Sequence, residues 1–302
     1  HGFTVKTLTG SSFDIVARRD SRVLLIKVLE DANSISEEYA SSMKSLSSYI
    51  DASPMIIAEK AGHALEDGVV YSRVGVYTCN YSTFSSCLEN RFPIVISTRA
   101  GFTASVVGEK LRQQREEKGL SLGTISRKVG VSKRMIAKYE ANSADVTLRS
   151  AVELNRLFGN EIFNKVDVFG VARETAVGKP SVIARKYDEL GFRAADTKKA
   201  PFDVVARLER ELILTEVSKD KANPQLEPMR QLLGADALVI FDKKTGGIGW
   251  HAQNPNRWAT IGPRHRKGDL GNKKKLPSLQ KRDFLEMGSA RELIRFLREF
   301  GE

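Results

Sequence analysis

A gapless internal repeat constrains this chain more than any other feature. At an offset of 189 residues, Gly2-Phe3 recurs as Gly191-Phe192, and Phe13-Asp14-Ile15-Val16-Ala17-Arg18 recurs as Phe202-Asp203-Val204-Val205-Ala206-Arg207. In the same register Val23-Leu24-Leu25-Ile26-Lys27-Val28 lies over Leu212-Ile213-Leu214-Thr215-Glu216-Val217, and Asp31 lies over Asp220. Two stretches that repeat one pattern of apolar and polar positions without a gap are expected to fold as two copies of one unit.

Each copy reads as two β-branched-rich strands joined by a short charged turn, residues 19–22 and 208–211, which suits a hairpin. A helix follows, at residues 36–50 in the first copy and 226–233 in the second. An apolar run then closes the unit, residues 55–58 and 237–241, as expected for a strand returning beside its predecessors. The second copy is preceded by a helix at residues 181–190, with Pro180 and Ser181 as start signals and Gly191 as a stop. A matching helix for the first copy is expected ahead of His1. A further block, residues 68–100, adds strand-like alternation at 69–77, a short helix at 82–89 and a strand at 93–98. The expected organisation is an α/β plus all-α chain: α/β lobes at residues 1–100 and 178–302 flank a helical segment at 101–169, with linkers at 98–103 and 170–180.

At 302 residues the chain exceeds the usual size of one domain. Forty-eight Lys plus Arg against 37 Asp plus Glu give a formal charge of +11, which favours nucleic acid or another polyanion as partner. The sequence has neither an apolar run long enough to span a bilayer nor a secretory leader pattern, so a soluble cytoplasmic protein with no membrane association is expected. Cys79 and Cys87 form no CxxC, and the histidines are scattered, so neither a disulfide framework nor a metal site is expected. No cofactor is expected either.

In the middle segment Val107 and Leu111 open a helix that stops at Gly119. Ser121 can cap a second helix, on which Leu122, Ile125 and Val129 recur at helical spacing before Gly130 makes a tight turn. Ser132 caps a third helix at residues 133–140, and Thr147 a fourth whose Leu148, Ala151, Leu154 and Phe158 complete a core. On the third helix Ile136 and Tyr139 share one face; Arg134, Ala137 and Lys138 project opposite, with Lys133 at the flank. A helix that reads DNA needs this division, an apolar face for anchoring and long cationic donors for guanine edges and phosphates. Ala137 permits close approach to a base or a thymine methyl. The candidate DNA-binding residues are therefore Arg127, Lys128, Ser132, Lys133, Arg134, Ala137 and Lys138, with Arg134 and Lys138 as base readers and Lys133 with Arg127 or Lys128 on phosphate.

The order Leu111-Arg112, Arg115-Glu116-Glu117-Lys118-Gly119-Leu120-Ser121, Gly130-Val131-Ser132, Ile136 and Tyr139-Glu140 resembles the Cro/C1-type helix-turn-helix family. That resemblance implies sequence-specific binding of double-stranded DNA, usually as a dimer on a two-fold-related site. Two positions depart from it: Leu122 stands where the family has a Gln that holds phosphate or base, and Ala141 where it has Gly. The arrangement of an α/β lobe ending in residues 97–101, this helical segment and a further lobe is similar to a family of archaeal helix-turn-helix transcriptional regulators. It implies a regulatory role, with a homodimer expected and an effector or the transcription machinery as further candidate partners.

The lobes themselves resemble the PD-(D/E)xK nuclease core, in which an Asp is followed about a dozen residues later by Glu-x-Lys; such enzymes hold Mg²⁺ on two carboxylates and poise water with the lysine. Both copies break the pattern. The first has Asp14 but Lys27 in place of Glu and Leu29 in place of Lys; the second keeps Asp203 and Glu216 but has Ser218, with Lys219 one position off. A one-residue shift on a strand sends a side chain to the opposite face, so Lys219 is a poor substitute. The expectation is a non-catalytic scaffold for assembly in which Asp14 and Asp203 cap or bridge the strand pair. A Mg²⁺-dependent, structure-selective nuclease using Asp203 and Glu216 is the rival. A basic stretch between Arg257 and Arg282 could grip phosphates or be a solvated loop; Trp250 and Trp258 could stack on bases, with core packing the favoured reading.

Overall fold

The computed structural model describes residues 1–98, 101–170, 179–242 and 276–301. The chain divides into two units, residues 1–174 and 175–302. The basic stretch before Lys281 lies almost wholly outside the described residues, as do both tryptophans.

The first unit begins with strands β1 (Thr4–Thr7), β2 (Ile15–Arg19) and β3 (Arg22–Asp31), then helix α1 (Glu37–Ile50) and β4 (Ala52–Ala61). The short β5 (His63–Ala64), β6 (Val69–Arg73) and β7 (Val76–Cys79) follow, then α2 (Tyr81–Leu88), β8 (Val95–Thr98) and β9 (Gly101–Ala104). Helices α3 (Gly108–Glu117), α4 (Leu122–Val129) and α5 (Lys133–Glu140), strand β10 (Val146–Thr147) and helix α6 (Leu148–Phe158) complete it. The sheet order is β1-β2-β3-β4-β7-β6-β8-β9-β10, with β5 paired to β4. β3, β4 and β7 run parallel, and antiparallel hairpins flank them.

The second unit contains α7 (Val182–Glu189), β11 (Arg193–Asp196), β12 (Val204–Leu208), β13 (Glu211–Ser218), α8 (Leu226–Leu233) and β14 (Asp236–Phe241). After these come β15 (Ser278–Gln280), α9 (Lys281–Glu286) and α10 (Ala290–Gly301). Its sheet runs β11-β12-β13-β14-β15, antiparallel up to β13 and parallel beyond.

The repeat is visible in the register. Ile15 pairs with Ile26 and Val204 with Thr215, each pair 189 residues from its counterpart. Both hairpins turn through a left-handed residue, Asp20 at φ 54° and Glu209 at φ 52°. In both, an arginine two residues earlier, Arg18 or Arg207, donates to that residue's carbonyl, at 3.1 and 3.2 Å. The copies part company in the next helix, where α8 has 8 residues against 14 in α1.

Two stretches differ from the sequence reading. The alternation at 69–77 is a hairpin, because Val74 and Gly75 both take positive φ, 49° and 77°, and fold β7 back on β6. Where a linker was expected, at 98–103, the described residues are strand: Thr98 pairs with Gly101 and Ile96 with Thr103, and β9 then pairs with β10. The sheet thereby continues to the helical segment, whose core gathers Ala104, Val106, Leu111, Ile125, Ile136, Tyr139, Leu154 and Phe163. The chain leaving α6 crosses back to the first sheet, where Val168 and Phe169 are buried with Ala17, Leu24 and Ile26. Ser53 on β4 donates to the Phe169 carbonyl at 2.5 Å.

Helix α3 approaches the end of α5 closely. A Cβ at Gly108 would sit 2.2 Å from the Glu140 carbonyl oxygen, and the Gly108 amide donates to Asn142 Oδ1 at 2.8 Å. Gly108→Ala is therefore expected to cost about 3 kcal/mol, since backbone and not a mobile side chain must yield. Urea denaturation of the purified variant measures this; stability equal to wild type would show that α3 is free to shift.

Candidate nucleic-acid interface

Local chemistry sets the boundaries of the two central helices. Ser121 Oγ accepts the Thr124 amide and Ser132 Oγ the Met135 amide, both at 3.1 Å, while Gly130 makes the left-handed turn between the helices at φ 76°. Apolar spacing then decides which face turns inward. Ile125, Val129, Ile136 and Tyr139 are buried. Arg127, Lys128, Ser132, Lys133, Arg134, Ala137 and Lys138 are all exposed.

Lys128, Lys133, Arg134 and Lys138 have no carboxylate within ion-pair distance among the described residues, so their charges remain available to an anion. Arg127 folds back, its Nε donating to the Gly123 carbonyl at 3.3 Å. The stem of Lys133 lies over the start of α4: its Cε would be 2.9 Å from a Cβ placed at Gly123. Ser132 Oγ is engaged as the acceptor of its own helix cap. Leu122, at the position of the missing Gln, packs against the helical core.

The sequence reading overlooked what holds α5. Glu140 is buried, and its carboxylate receives Arg115 Nε at 2.6 Å, Arg115 Nη2 at 3.1 Å and Arg112 Nε at 3.4 Å. This fork links α3 to the last turn of α5, and it raises the Arg115 pKa through the hydrogen bond to Glu140. The available signal was an acidic residue directly after the core Tyr139, where an unpaired charge would be costly.

In the lobes, the nuclease-like positions serve the fold. Asp14 Oδ2 accepts the Val28 amide at 2.8 Å, and Asp203 Oδ2 the Val217 amide at 2.7 Å, so each aspartate ties its hairpin together at the same repeat position. In the first lobe Lys27 donates to Asp14 Oδ1 at 2.8 Å, an ammonium standing where a second metal-binding carboxylate would be needed. In the second lobe Glu216 Oε2 accepts the Asn223 amide at 2.7 Å, and Ser218 Oγ donates to the Lys221 carbonyl at 2.7 Å. Among the described residues no group of three or more His, Cys, Asp or Glu side chains could hold a metal ion, and no helix is long and apolar enough to cross a membrane. Cys79 and Cys87 are both free and buried; burial pushes the Cys79 thiol up to about 12 and that of Cys87 to about 11.

Comparison with known proteins agrees with this geometry at two places: a PD-(D/E)XK superfamily domain profile matches residues 1–93 and a helix-turn-helix profile matches residues 111–162. A protein of Archaeoglobus fulgidus named "Putative HTH-type transcriptional regulatory protein" is 34% identical over 246 residues, covering 76% of this chain and 78% of its own. The chain belongs to that family of archaeal HTH-type transcriptional regulatory proteins. Members so named in Pyrococcus horikoshii, at 31% identity over 78% of this chain and 80% of its own, and Methanocaldococcus jannaschii, at 28% over 81% and 83%, match a similar span. This chain thus joins a nuclease-like lobe to a helix-turn-helix, and its first lobe carries Lys27 where the nuclease pattern has an acid.

Burial and the nearby charge of Asp203 raise the Glu216 pKa, and the Asn223 amide opposes that shift. A carboxyl whose pKa is raised on folding binds more protons in the folded state, so stability is highest below the unfolded pKa and falls as pH climbs through the folded one. Glu216→Gln keeps an acceptor for Asn223 and removes this penalty. Thermal melts from pH 4 to 8 should show the variant gaining on wild type as pH rises; a constant difference would mean that Glu216 titrates normally.

Proposed function

We propose that this chain is a sequence-specific, double-stranded DNA-binding transcriptional regulator that works as a homodimer. The observation that carries this reading is the outer face of α5, where Lys133, Arg134, Ala137 and Lys138 stand exposed on a helix whose opposite face is locked into the core. Arg134 and Lys138 supply donors for base edges in the major groove; Lys133 with Lys128 or Arg127 holds phosphate, and Ser132 adds a hydroxyl at the helix start. One short helix reads only a few base pairs, so a second copy on a two-fold-related half-site supplies the remaining specificity. The α/β lobes at residues 1–100 and 178–302 set the dimer geometry and offer surfaces to an effector or to the transcription machinery. The names of the relatives support the regulatory role.

Arg134→Ala is expected to weaken binding to a duplex selected by the wild-type protein about 5- to 150-fold, equivalent to 1–3 kcal/mol, and to relax the preference at one base position. Fluorescence anisotropy with the selected duplex and its single-base variants measures both. Unchanged affinity and unchanged preference would assign the helical segment to protein contacts instead.

A Mg²⁺-dependent nuclease retains one supporting observation, the paired Asp203 and Glu216. The occupied Asp14–Lys27 pair and the Ser218 substitution weigh against it. Incubation of linear and branched duplexes with and without Mg²⁺ separates the readings. No cleavage is expected, and metal-dependent cutting lost in Glu216→Ala would establish the enzyme.

A further inference from the structure

The repeat provides an internal control for charge. Loops 197–203 and 219–225 leave the same end of the second sheet, because Asp196 at the end of β11 pairs with Val204, which pairs in turn with Thr215 on β13. These loops carry Lys198, Lys199, Lys219 and Lys221, all exposed. At the corresponding positions the first copy has Thr9, Gly10, Glu30 and Ala32. One fold therefore carries four positive charges at this end in one copy and a single negative charge at the same positions in the other. Lys179 adds a fifth cation nearby, two residues before Ser181, whose amide is held by Asp196 Oδ2 at 2.6 Å.

Of the acidic groups at this end, Asp203 and Glu216 are turned to the backbone and Asp242 pairs with Lys281 at 2.9 Å, while Asp220 stands exposed between Lys219 and Lys221 and sets one negative charge against the rim. Asp203 holds the Val217 amide, and its carbonyl accepts the Thr197 amide at 2.7 Å. Glu216 holds the Asn223 amide, and Ser218 the Lys221 carbonyl. The three positions that correspond to the nuclease Asp, Glu and Lys thus fasten the two lysine-bearing loops to the sheet.

We propose that this lysine rim of the second lobe is a metal-free grip for the phosphate backbone of duplex DNA, additional to the contacts of α5. The inference rests on the DNA-binding reading of the helix-turn-helix for its choice of polyanion. Lysines on short, braced loops present hydrated point charges that suit phosphate oxygens and carry no base preference. Duplex DNA is favoured over RNA because the same chain holds a helix shaped for the major groove. The first lobe, with Glu30 at its rim, takes no part.

The test uses the full chain, a labelled duplex of mixed sequence, and anisotropy over a salt series. Each phosphate contact contributes about 0.9 to the slope of log affinity against log salt, so Lys198, Lys199, Lys219 and Lys221 all changed to Gln should flatten it by about 3.6. The four changed to Arg should restore the wild-type slope, which separates lost charge from lost folding. Arg134→Ala should alter sequence preference while leaving the slope within about one unit of wild type. A wild-type slope in the Gln variant would overturn the proposal and leave the helix-turn-helix reading intact. Loss of the slope change together with weakened binding to duplex RNA would overturn it in favour of an RNA contact. A flattened slope in the Gln variant with no effect of Arg134→Ala would sustain the rim and refute the role of α5. No binding of wild type to any duplex would refute both.

Discussion

The carboxylate of Glu140 lies buried at the end of α5, gripped by both Arg115 and Arg112, and the aim of the exposed cations hangs on that fork. Two opposite charges removed from water are tolerated only when paired with good geometry, and here Arg115 meets both carboxylate oxygens. The pair reaches from α3 to α5 across the helical core, at the point where Gly108 lets the two backbones approach. With α5 fixed by Ile136 and Tyr139 below and by Glu140 at its end, the residues above them point outward by elimination. Exposure of the outer face follows from constraint on the inner one.

A similar economy runs through the lobes. Asp14 and Asp203 occupy the place of a metal-binding carboxylate, yet each uses an oxygen to hold the amide of the neighbouring strand. That bond stabilises the hairpin whether or not a metal is ever bound, which accounts for its presence in both copies. Other positions were free to diverge. In the first copy the position of Glu216 holds Lys27, which pairs with Asp14 directly; in the second Glu216 lies half-buried near Asp203 and is turned to Asn223. The first copy has no second carboxylate at that position to repel Asp14, and in the second the Asn223 amide opposes the rise in pKa that burial and the charge of Asp203 impose on Glu216.

Much of this was legible in the sequence, for identifiable reasons. The helices of the middle segment declared themselves because caps and stops are local: Ser121, Gly130, Ser132 and Thr147 each do their work within four residues. The lobes were legible because a gapless offset carries register as well as composition. The fork of Arg115 and Glu140 was not, since it joins residues 25 apart: an acid beside the core Tyr139 hints that a charge turns inward, but the helix pattern does not say which cation meets it. The hairpin at Val74-Gly75 was hidden because a valine at positive φ is unfavourable and breaks the usual turn signature. The strands β9 and β10 are so short that alternation cannot reveal them, so the join between lobe and helices read as a linker. The lysine rim was invisible for a further reason: its members are scattered in sequence, and only the pairing of β11, β12 and β13 brings their loops to one end.

A regulator built on α5 must select a DNA sequence. Repeated selection from a pool of randomised duplexes by the purified full-length protein measures that most directly. The expected product is a short motif present twice in two-fold-related orientation, with half-site centres one or more helical turns, about 10 base pairs, apart. Recovery of duplexes with no shared motif, bound as tightly as the starting pool, would contradict it.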